Sequence, residues 1–68
     1  MTMLKVIEVL AQSDKSWEDA AENAVRQASE SVRDIRSLYI KEMEAIVENG
    51  HITQYRINGK ISFLLEKP

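Results

Sequence analysis

Cysteine is absent from the 68-residue chain, and glycine and proline are scarce, with two glycines and one proline. Without cysteine, the fold has no disulfide and no thiolate ligand for a metal ion. We predict a single domain over residues 1–68, because a chain of this length forms one small core. Such a domain buries only about 60% of its unfolded surface, so association between subunits is the expected source of further stability.

Neither positive nor negative charge predominates in the chain. Nine basic and eleven acidic residues are interspersed, and the formal net charge is −2. This balance gives no electrostatic reason to expect nucleic acid or an anionic membrane as a partner. No apolar run approaches the roughly 20 residues of a membrane-spanning helix, and no basic stretch leads into an apolar one at the N-terminus. We therefore expect a soluble, cytoplasmic protein.

The second half of the chain, residues 33–66, is predicted to form one long hairpin. Asn49-Gly50 separates two runs of strand-forming residues, and this dipeptide favours a type I′ turn with positive φ at both positions. Each arm is roughly 13 to 15 residues long, against about 5 or 6 for an ordinary strand. The partners that follow from this turn are Leu38 with Ile61, Ile40 with Gly59, Glu42 with Ile57, and Met43 with Arg56.

Alternation along both arms predicts one apolar and one polar face. The apolar face is expected to carry Leu38, Ile40, Ile46, Tyr55, Ile57, Ile61, Phe63 and Leu65. The polar face is expected to carry Ser37, Tyr39, Lys41, Met43, Gln54, Arg56, Asn58, Lys60 and Ser62. Gly59, inside the second arm, predicts a bulge or a close backbone approach at a subunit contact.

The first half predicts a strand and a helix. Residues 3–11 (MLKVIEVLA) are predicted to form a strand that is apolar on both faces. We therefore expect other parts of the protein to pack against both faces of this strand. Ser16 is the expected helix cap, with Asp19 at the position of a capping-box carboxylate. An apolar stripe follows at helical spacing, mostly of alanine: Trp17, Ala20, Ala21, Ala24, Val25, Ala28 and Val32. Trp17 is expected to pack in the core at the entry of this helix.

The order of elements is therefore β-α-β-β, an α+β fold. A helical crossover makes the first two strands parallel, whereas the hairpin makes the third antiparallel to the second. Placing the third strand in the middle satisfies both conditions and gives a three-stranded antiparallel sheet of order 1-3-2. One helix cannot cover three long strands, so we expect much of the sheet to face other copies of the chain.

A series of short strings resembles the dodecin family. They are residues 5–8 (KVIE), 16–21 (SWEDAA), 32–36 (VRDIR), 41–42 (KE), 47–50 (VENG), 52–53 (IT), 55–56 (YR) and 60–63 (KISF). Each string is weak alone, but their order in so short a chain is specific, and the likeness runs without gaps from about residue 4 to 66. The resemblance implies a sheet wrapped on one helix, twelve copies assembled as a hollow homododecamer, and flavin binding or storage without enzymatic activity.

The resemblance also implies ligand-binding positions. An aromatic residue that stacks on riboflavin or FMN in the family matches Ser37, a glutamine at the polar edge of the flavin matches Arg56, and an acidic residue near the ribityl chain matches Glu42. Replacement of the aromatic and the glutamine predicts weakened or altered flavin binding. The missing aromatic makes the calcium-binding members of the family the nearest analogue, so a cation-binding or structural cage is the alternative function.

The residues themselves offer further candidate sites. Glu42 and Glu44, two apart on one strand, present carboxylates suited to Ca²⁺, or they pair with arginines and water. Tyr39 is an aromatic two residues from Ser37, available for stacking on a planar ligand or for ordinary packing. His51 beside the turn is expected to be exposed, and no serine has a base placed near it by any motif. The sequence therefore predicts no catalytic residues and leaves the ligands of any metal undefined.

Overall fold

The computed structural model describes residues 2–65, and its elements follow the predicted order. They are β1 (Leu4–Ser13), α1 (Trp17–Ala28), β2 (Ile35–Glu48) and β3 (His51–Leu64). The three strands form one sheet of order β1-β3-β2, and β3 is antiparallel to both neighbours. The predicted α+β fold and strand order are confirmed. The predicted end of the hairpin at Glu66 lies outside the described residues.

The hairpin turns at Asn49-Gly50, as predicted. Both residues have positive φ, 52° at Asn49 and 76° at Gly50, which a type I′ turn requires. Glu48 pairs with His51 directly beside the turn. Each arm is 14 residues long, so the turn connects the two strands of an unusually long hairpin.

The ladder between β2 and β3 has three irregularities, of which one lies at Arg36 near the start of β2. The other two change the register between the turn and Ile40. Pairing passes from Val47–Ile52 to Ile46–Gln54, which leaves Thr53 as an extra residue on β3. It then passes from Glu42–Asn58 to Ile40–Gly59, which leaves Lys41 as an extra residue on β2. Because the two shifts cancel, the predicted pairs Leu38–Ile61 and Ile40–Gly59 are correct. The predicted pairs of Glu42 with Ile57 and of Met43 with Arg56 are wrong, since the segment between the bulges is displaced by one residue.

Residues of the displaced segment lie on the opposite face of the sheet from the one predicted. Met43 lies opposite the fully buried Ile57 and therefore belongs to the helix-facing side, not to the polar side as predicted. Ile46 lies opposite Gln54, on the side away from the helix, instead of on the apolar side. Glu42 and Glu44 lie opposite Asn58 and Arg56. We call the sheet surface away from α1, which carries these polar pairs, the outer face.

The core is small and lies between α1 and the middle of the sheet. Its buried apolar side chains are Ala20, Ala24, Ile57 and Ile61. Small side chains on the helix let it approach the sheet closely. At the start of the helix, the rings of Trp17 and Tyr55 pack edge to face with their centroids 4.9 Å apart. The Trp17 Nε1–H donates a hydrogen bond to the Glu44 carbonyl oxygen at 3.1 Å. The predicted core role of Trp17 is thus correct in position, although the residue is only half-buried.

The start of α1 uses a variant of the predicted cap. Ser16 Oγ accepts a hydrogen bond from the Asp19 N–H at 2.9 Å, as expected of the capping residue. The Asp19 carboxylate does not return to the Ser16 N–H as in a capping box. Its Oδ2 instead accepts from Oγ of the buried Ser13 at 2.6 Å, which ties the end of β1 to the first turn of the helix.

The helix ends at Ala28, four residues before the end of the predicted stripe. Ser29 Oγ donates to the Arg26 carbonyl oxygen at 2.7 Å, a local side-chain bond that competes with continuation of the helix. The chain then turns, and the Val32 N–H donates to the Ala28 carbonyl oxygen at 2.9 Å. Val32 is therefore outside the helix.

Gly59 marks a close backbone approach inside the subunit. A Cβ at this position would lie 2.5 Å from the Tyr39 carbonyl oxygen and 3.2 Å from Leu38 Cδ1. The approach that the glycine predicted is present, and it sits beside the bulge at Lys41. Its partner in the structure is β2 of the same chain, whereas the sequence led us to expect a neighbouring subunit.

A large part of the sheet is left uncovered. The molecule is 53 Å long, while a helix of 12 residues spans about 18 Å. Leu4, Val6 and Leu10 of β1 are at least half exposed on the outer face, while Ile7 and Val9 are half-buried on the helix side. The first strand is thus apolar on both faces, as predicted. Within residues 2–65, no helix is long and apolar enough to cross a membrane.

Candidate functional site

The outer face carries all four residues predicted to bind a ligand: Ser37, Tyr39, Glu42 and Arg56. Cross-strand pairing places them in rows, in which Ser37 lies opposite Ser62, Tyr39 opposite Lys60, and Glu42 opposite Asn58. The bulge at Lys41 brings Glu42 to this face, where the uninterrupted register would have placed it on the helix side. The four residues share a surface and form two separate groups along it.

Arg56 is the centre of the first group and connects all three strands. Its Nε donates to Oε1 of Gln12 on β1 at 3.0 Å, and its Nη1 lies 3.3 Å from Oε1 of Glu44 on β2. The side chain of Arg56 is 32% exposed and that of Glu44 is 59% exposed. An ion pair this accessible to water contributes little to stability, typically about 0–1 kcal/mol, but it occupies one carboxylate of the face.

Glu42 forms the second part of the same group. Asn58 Nδ2 donates to Glu42 Oε1 at 3.3 Å, which leaves the other carboxylate oxygen without a side-chain partner in residues 2–65. A shallow depression of about 290 Å³ opens above these residues. Its lining includes five residues of the outer face, Leu10, Glu42, Glu44, Arg56 and Asn58. The depression offers carboxylate and amide oxygens next to one guanidinium group.

Ser37 and Tyr39 lie farther along the sheet. The hydroxyl groups of Ser37 and Ser62 are hydrogen-bonded across β2 and β3. Tyr39 is 63% exposed. Ser62 and Arg56 are six residues apart on one strand, a separation of roughly 20 Å. Ser37 and Arg56 of one chain therefore cannot contact the same ring, and a site that includes both positions must use two copies.

Sequence reasoning missed two members of the Arg56 group, Gln12 and Asn58. Asn58 was assigned to the correct face, but its pairing with Glu42 depends on a bulge that was not predicted. Gln12 lies one residue beyond the predicted strand 3–11, whereas it belongs to β1 and pairs directly with Arg56. The predicted strand order already placed β1 beside β3, and extending β1 by one residue would have brought Gln12 to Arg56.

The outer face does not match the requirements of a tightly bound flavin. Ser37 offers no ring for stacking, and its hydroxyl is engaged by Ser62. Arg56 has donors only, while the edge of a flavin ring needs both donors and acceptors, and its guanidinium already contacts Gln12 and Glu44. Tyr39 is the aromatic residue on this face, and it stands opposite Lys60.

Calcium fits the donor chemistry better, although one chain supplies too few ligands. Calcium takes six to eight oxygen ligands, many of them carboxylates. Glu42 and Glu44 provide carboxylates on the same face. Residues 2–65 contain no group of three or more acidic or histidine side chains close enough to hold a metal ion. His51 is exposed beside the turn, as predicted. A complete site would therefore need oxygens from another copy, from the backbone or from water.

These features define a class of protein: a small β-α-β-β chain with a large uncovered sheet and a polar surface suited to binding without catalysis. Residues 3–66 match the family model described as Dodecin. The chain therefore belongs to the dodecin family, whose members are non-enzymatic binding proteins.

Individual relatives agree with this assignment. The chain is 40% identical over 63 residues to the calcium dodecin of Mycobacterium tuberculosis, covering 93% of this chain and 89% of that protein. The crystal structure of that calcium dodecin superposes with a TM-score of 0.82 at 37% identity, covering 97% of each chain. A mutant of the Thermus thermophilus dodecin gives a TM-score of 0.94 at 20% identity over the full length of both chains, a likeness of fold alone.

Proposed function

We propose that this chain is the subunit of a cytoplasmic, homododecameric cage that binds calcium. The observation that carries the proposal is the presence of Glu42 and Glu44 together on the outer face, with one oxygen of Glu42 free of a side-chain partner in the described residues. The relative with 40% identity is named a calcium dodecin, and this name gives the proposal independent support.

The ion would lie at a contact between copies. Two carboxylates provide at most four oxygen atoms, fewer than the six to eight that calcium takes. The outer face beside them carries the exposed Leu10, and the tip of the hairpin carries the exposed Val47 and Ile52. Packing of such apolar surfaces against neighbouring copies would bring further oxygens toward Glu42 and exclude water from the ion.

Glu44 has a divided role in this proposal. In the structure it pairs with Arg56 at 3.3 Å, so calcium must compete with a guanidinium group for the same carboxylate. Because the pair is exposed, its replacement costs little. Glu42, whose side-chain partner within residues 2–65 is the neutral amide of Asn58, would be the stronger ligand.

Calcium titration of matched variants tests this function. Glu42→Gln combined with Glu44→Gln removes both charges, and we expect calcium affinity measured by calorimetry to fall at least about tenfold, or 1.4 kcal/mol. Glu48→Gln is the control for each single substitution, since it removes one carboxylate from the same strand at an exposed position beside the turn. Equal affinity in the double variant and the wild type, with assembly intact in both, would refute these ligands.

Flavin is the second candidate ligand. The exposed ring of Tyr39 on the outer face favours it, because an aromatic ring is the group on which an isoalloxazine ring stacks. The occupied hydroxyl of Ser37 and the charge of Arg56 oppose it. We propose that riboflavin and FMN bind weakly.

A further inference from the structure

The chain contains two Asn-Gly dipeptides, and the fold places them in opposite environments. Asn49-Gly50 forms the exposed turn of the hairpin, whereas Asn58-Gly59 lies within β3, the central strand of the sheet. An asparagine followed by glycine is the combination in which the backbone nitrogen most easily reaches the side-chain amide, because glycine has no side chain to obstruct the approach. Both dipeptides therefore have the same intrinsic tendency to cyclise, but the fold allows the required rotation at one of them and restrains it at the other.

The turn dipeptide is exposed to solvent in the single chain. Asn49 and Gly50 are both exposed, and apart from residues 49–51 themselves no atom of residues 2–65 lies within 4 Å of the position that a Gly50 Cβ would occupy. Within residues 2–65, the Gly50 N–H makes no backbone hydrogen bond in the turn. Water and base can therefore reach this nitrogen, and the turn can change its dihedral angles without breaking the pairs of a central strand.

The strand dipeptide is restrained on both sides. Gly59 is buried and pairs with Val9 of β1 and with Ile40 of β2. Its Cα lies so close to β2 that a Cβ would meet the Tyr39 carbonyl oxygen. The Asn58 side-chain amide donates to Glu42. Rotation of Asn58 toward a cyclic intermediate would require both ladders to open, which occurs only by local unfolding.

We propose that Asn49 is a site of spontaneous deamidation and that the fold protects Asn58 from the same reaction. The Gly50 nitrogen gives its proton to a base in solution and attacks Asn49 Cγ, forming a C–N bond. The amide nitrogen takes up a proton and leaves as ammonia, so that a five-membered succinimide remains. Water then opens either carbonyl of the ring and yields aspartate or isoaspartate, with no oxidant or reductant involved.

The products differ in their effect on the hairpin. Aspartate tolerates positive φ, so it preserves the turn and adds a negative charge between Glu48 and His51. Isoaspartate inserts an additional carbon into the main chain. A two-residue turn with fixed register cannot absorb this atom, so the Glu48–His51 pair at the tip would be lost. The modification would therefore loosen the hairpin tip as the protein ages.

Peptide mapping can follow both sites in one experiment. Trypsin cleaves after Lys41, Arg56 and Lys60, which places Asn49 in the peptide 42–56 and Asn58 in the peptide 57–60. The folded protein is incubated in mildly alkaline buffer made with heavy-oxygen water, so that conversion during incubation is distinguished from conversion during digestion. Because Asn58 reacts only after local opening, we expect Asn49 to convert at least about tenfold faster than Asn58.

Two controls distinguish the effect of the fold on the deamidation rate from the intrinsic reactivity of the Asn-Gly dipeptide. In the chain unfolded by guanidinium, the two sites should convert at rates within about threefold, since neither is then restrained. Asn49→Gly keeps a dipeptide suited to a type I′ turn and should abolish conversion in the peptide 42–56. Equal rates at the two sites of the folded protein would overturn the proposal. An Asn49 that stays intact while the unfolded chain converts would overturn it as well.

Discussion

Arg56 is the residue that most strongly determines which ligands the outer face can accept. Its guanidinium contacts Gln12 on one side and Glu44 on the other, so it links three strands and occupies part of the acidic surface. A guanidinium group is always charged and cannot accept a hydrogen bond. It therefore disfavours the mixed edge of a flavin and competes with a metal ion for Glu44.

A double substitution tests the ligand positions at the residue scale. Ser37→Trp supplies a stacking ring, and Arg56→Gln supplies a group that both donates and accepts. We expect the wild type to quench riboflavin or FMN fluorescence weakly, and the double variant to bind at least about tenfold more tightly, a gain of 1.4 kcal/mol. Each single variant should gain less, because ring stacking and edge recognition are then separated.

Two results would contradict this prediction. Tight quenching by the wild type would mean that another group, such as the exposed Tyr39, already stacks on the ring. No gain in the double variant would mean that these positions do not meet at one ligand. Ser31→Trp is a suitable control, because it places the same ring at an exposed position after the helix, away from the outer face.

The residues of the candidate site could be predicted only in part. Ser37, Tyr39 and Arg56 were assigned to their correct face because strand alternation fixes the side of the sheet on which each residue lies. Alternation does not show how far apart these residues lie along the face. Ser37 and Arg56 are too distant from each other to belong to one site within a single chain. The partners of Arg56 depend on pairing between strands that are distant in sequence, which no local pattern specifies.

At the scale of elements, the long hairpin determines the shape of the molecule. The dipeptide Asn49-Gly50 predicted its turn correctly, because only a type I′ turn suits two such residues between two strand-forming runs. The same two letters at Asn58-Gly59 do not form a turn, since they interrupt neither alternation nor strand propensity. The bulges at Lys41 and Thr53 have no comparable signal, and each reverses the faces of the residues beyond it.

Gly59 offers a test of the packing between β2 and β3. Gly59→Ala should reduce the free energy of unfolding by about 1–3 kcal/mol, because the new Cβ must displace the backbone at Tyr39. Thermal and denaturant unfolding measure this loss. Lys60→Ala, at the exposed next residue, should change stability by about 0.5 kcal/mol or less. Equal stability of Gly59→Ala and the wild type would show that the two strands are not this close.

At the scale of the whole molecule, the chain leaves many large apolar side chains exposed. Leu4, Val6 and Leu10 are exposed on β1, and Val47 and Ile52 are exposed at the hairpin tip. In residues 2–65, the core that one helix can cover consists of four buried apolar side chains. Contact between copies would bury these surfaces, and under the proposed function the same contact would supply the further oxygen ligands that calcium needs.

The need for other copies could be inferred from the sequence, because a strand apolar on both faces and a chain with a single helix already leave surface uncovered. The number of copies could not be obtained in this way, since it depends on the angles at which the surfaces meet. Membership of the dodecin family provides the expectation of twelve.

Native mass spectrometry of the wild-type protein, before and after addition of calcium, tests the central claim most directly. We predict an assembly of twelve chain masses that gains bound calcium, and that gains fewer ions when Glu42→Gln and Glu44→Gln are combined. The claim would be contradicted by a stable folded monomer or dimer, or by a dodecamer whose mass does not change when calcium is added.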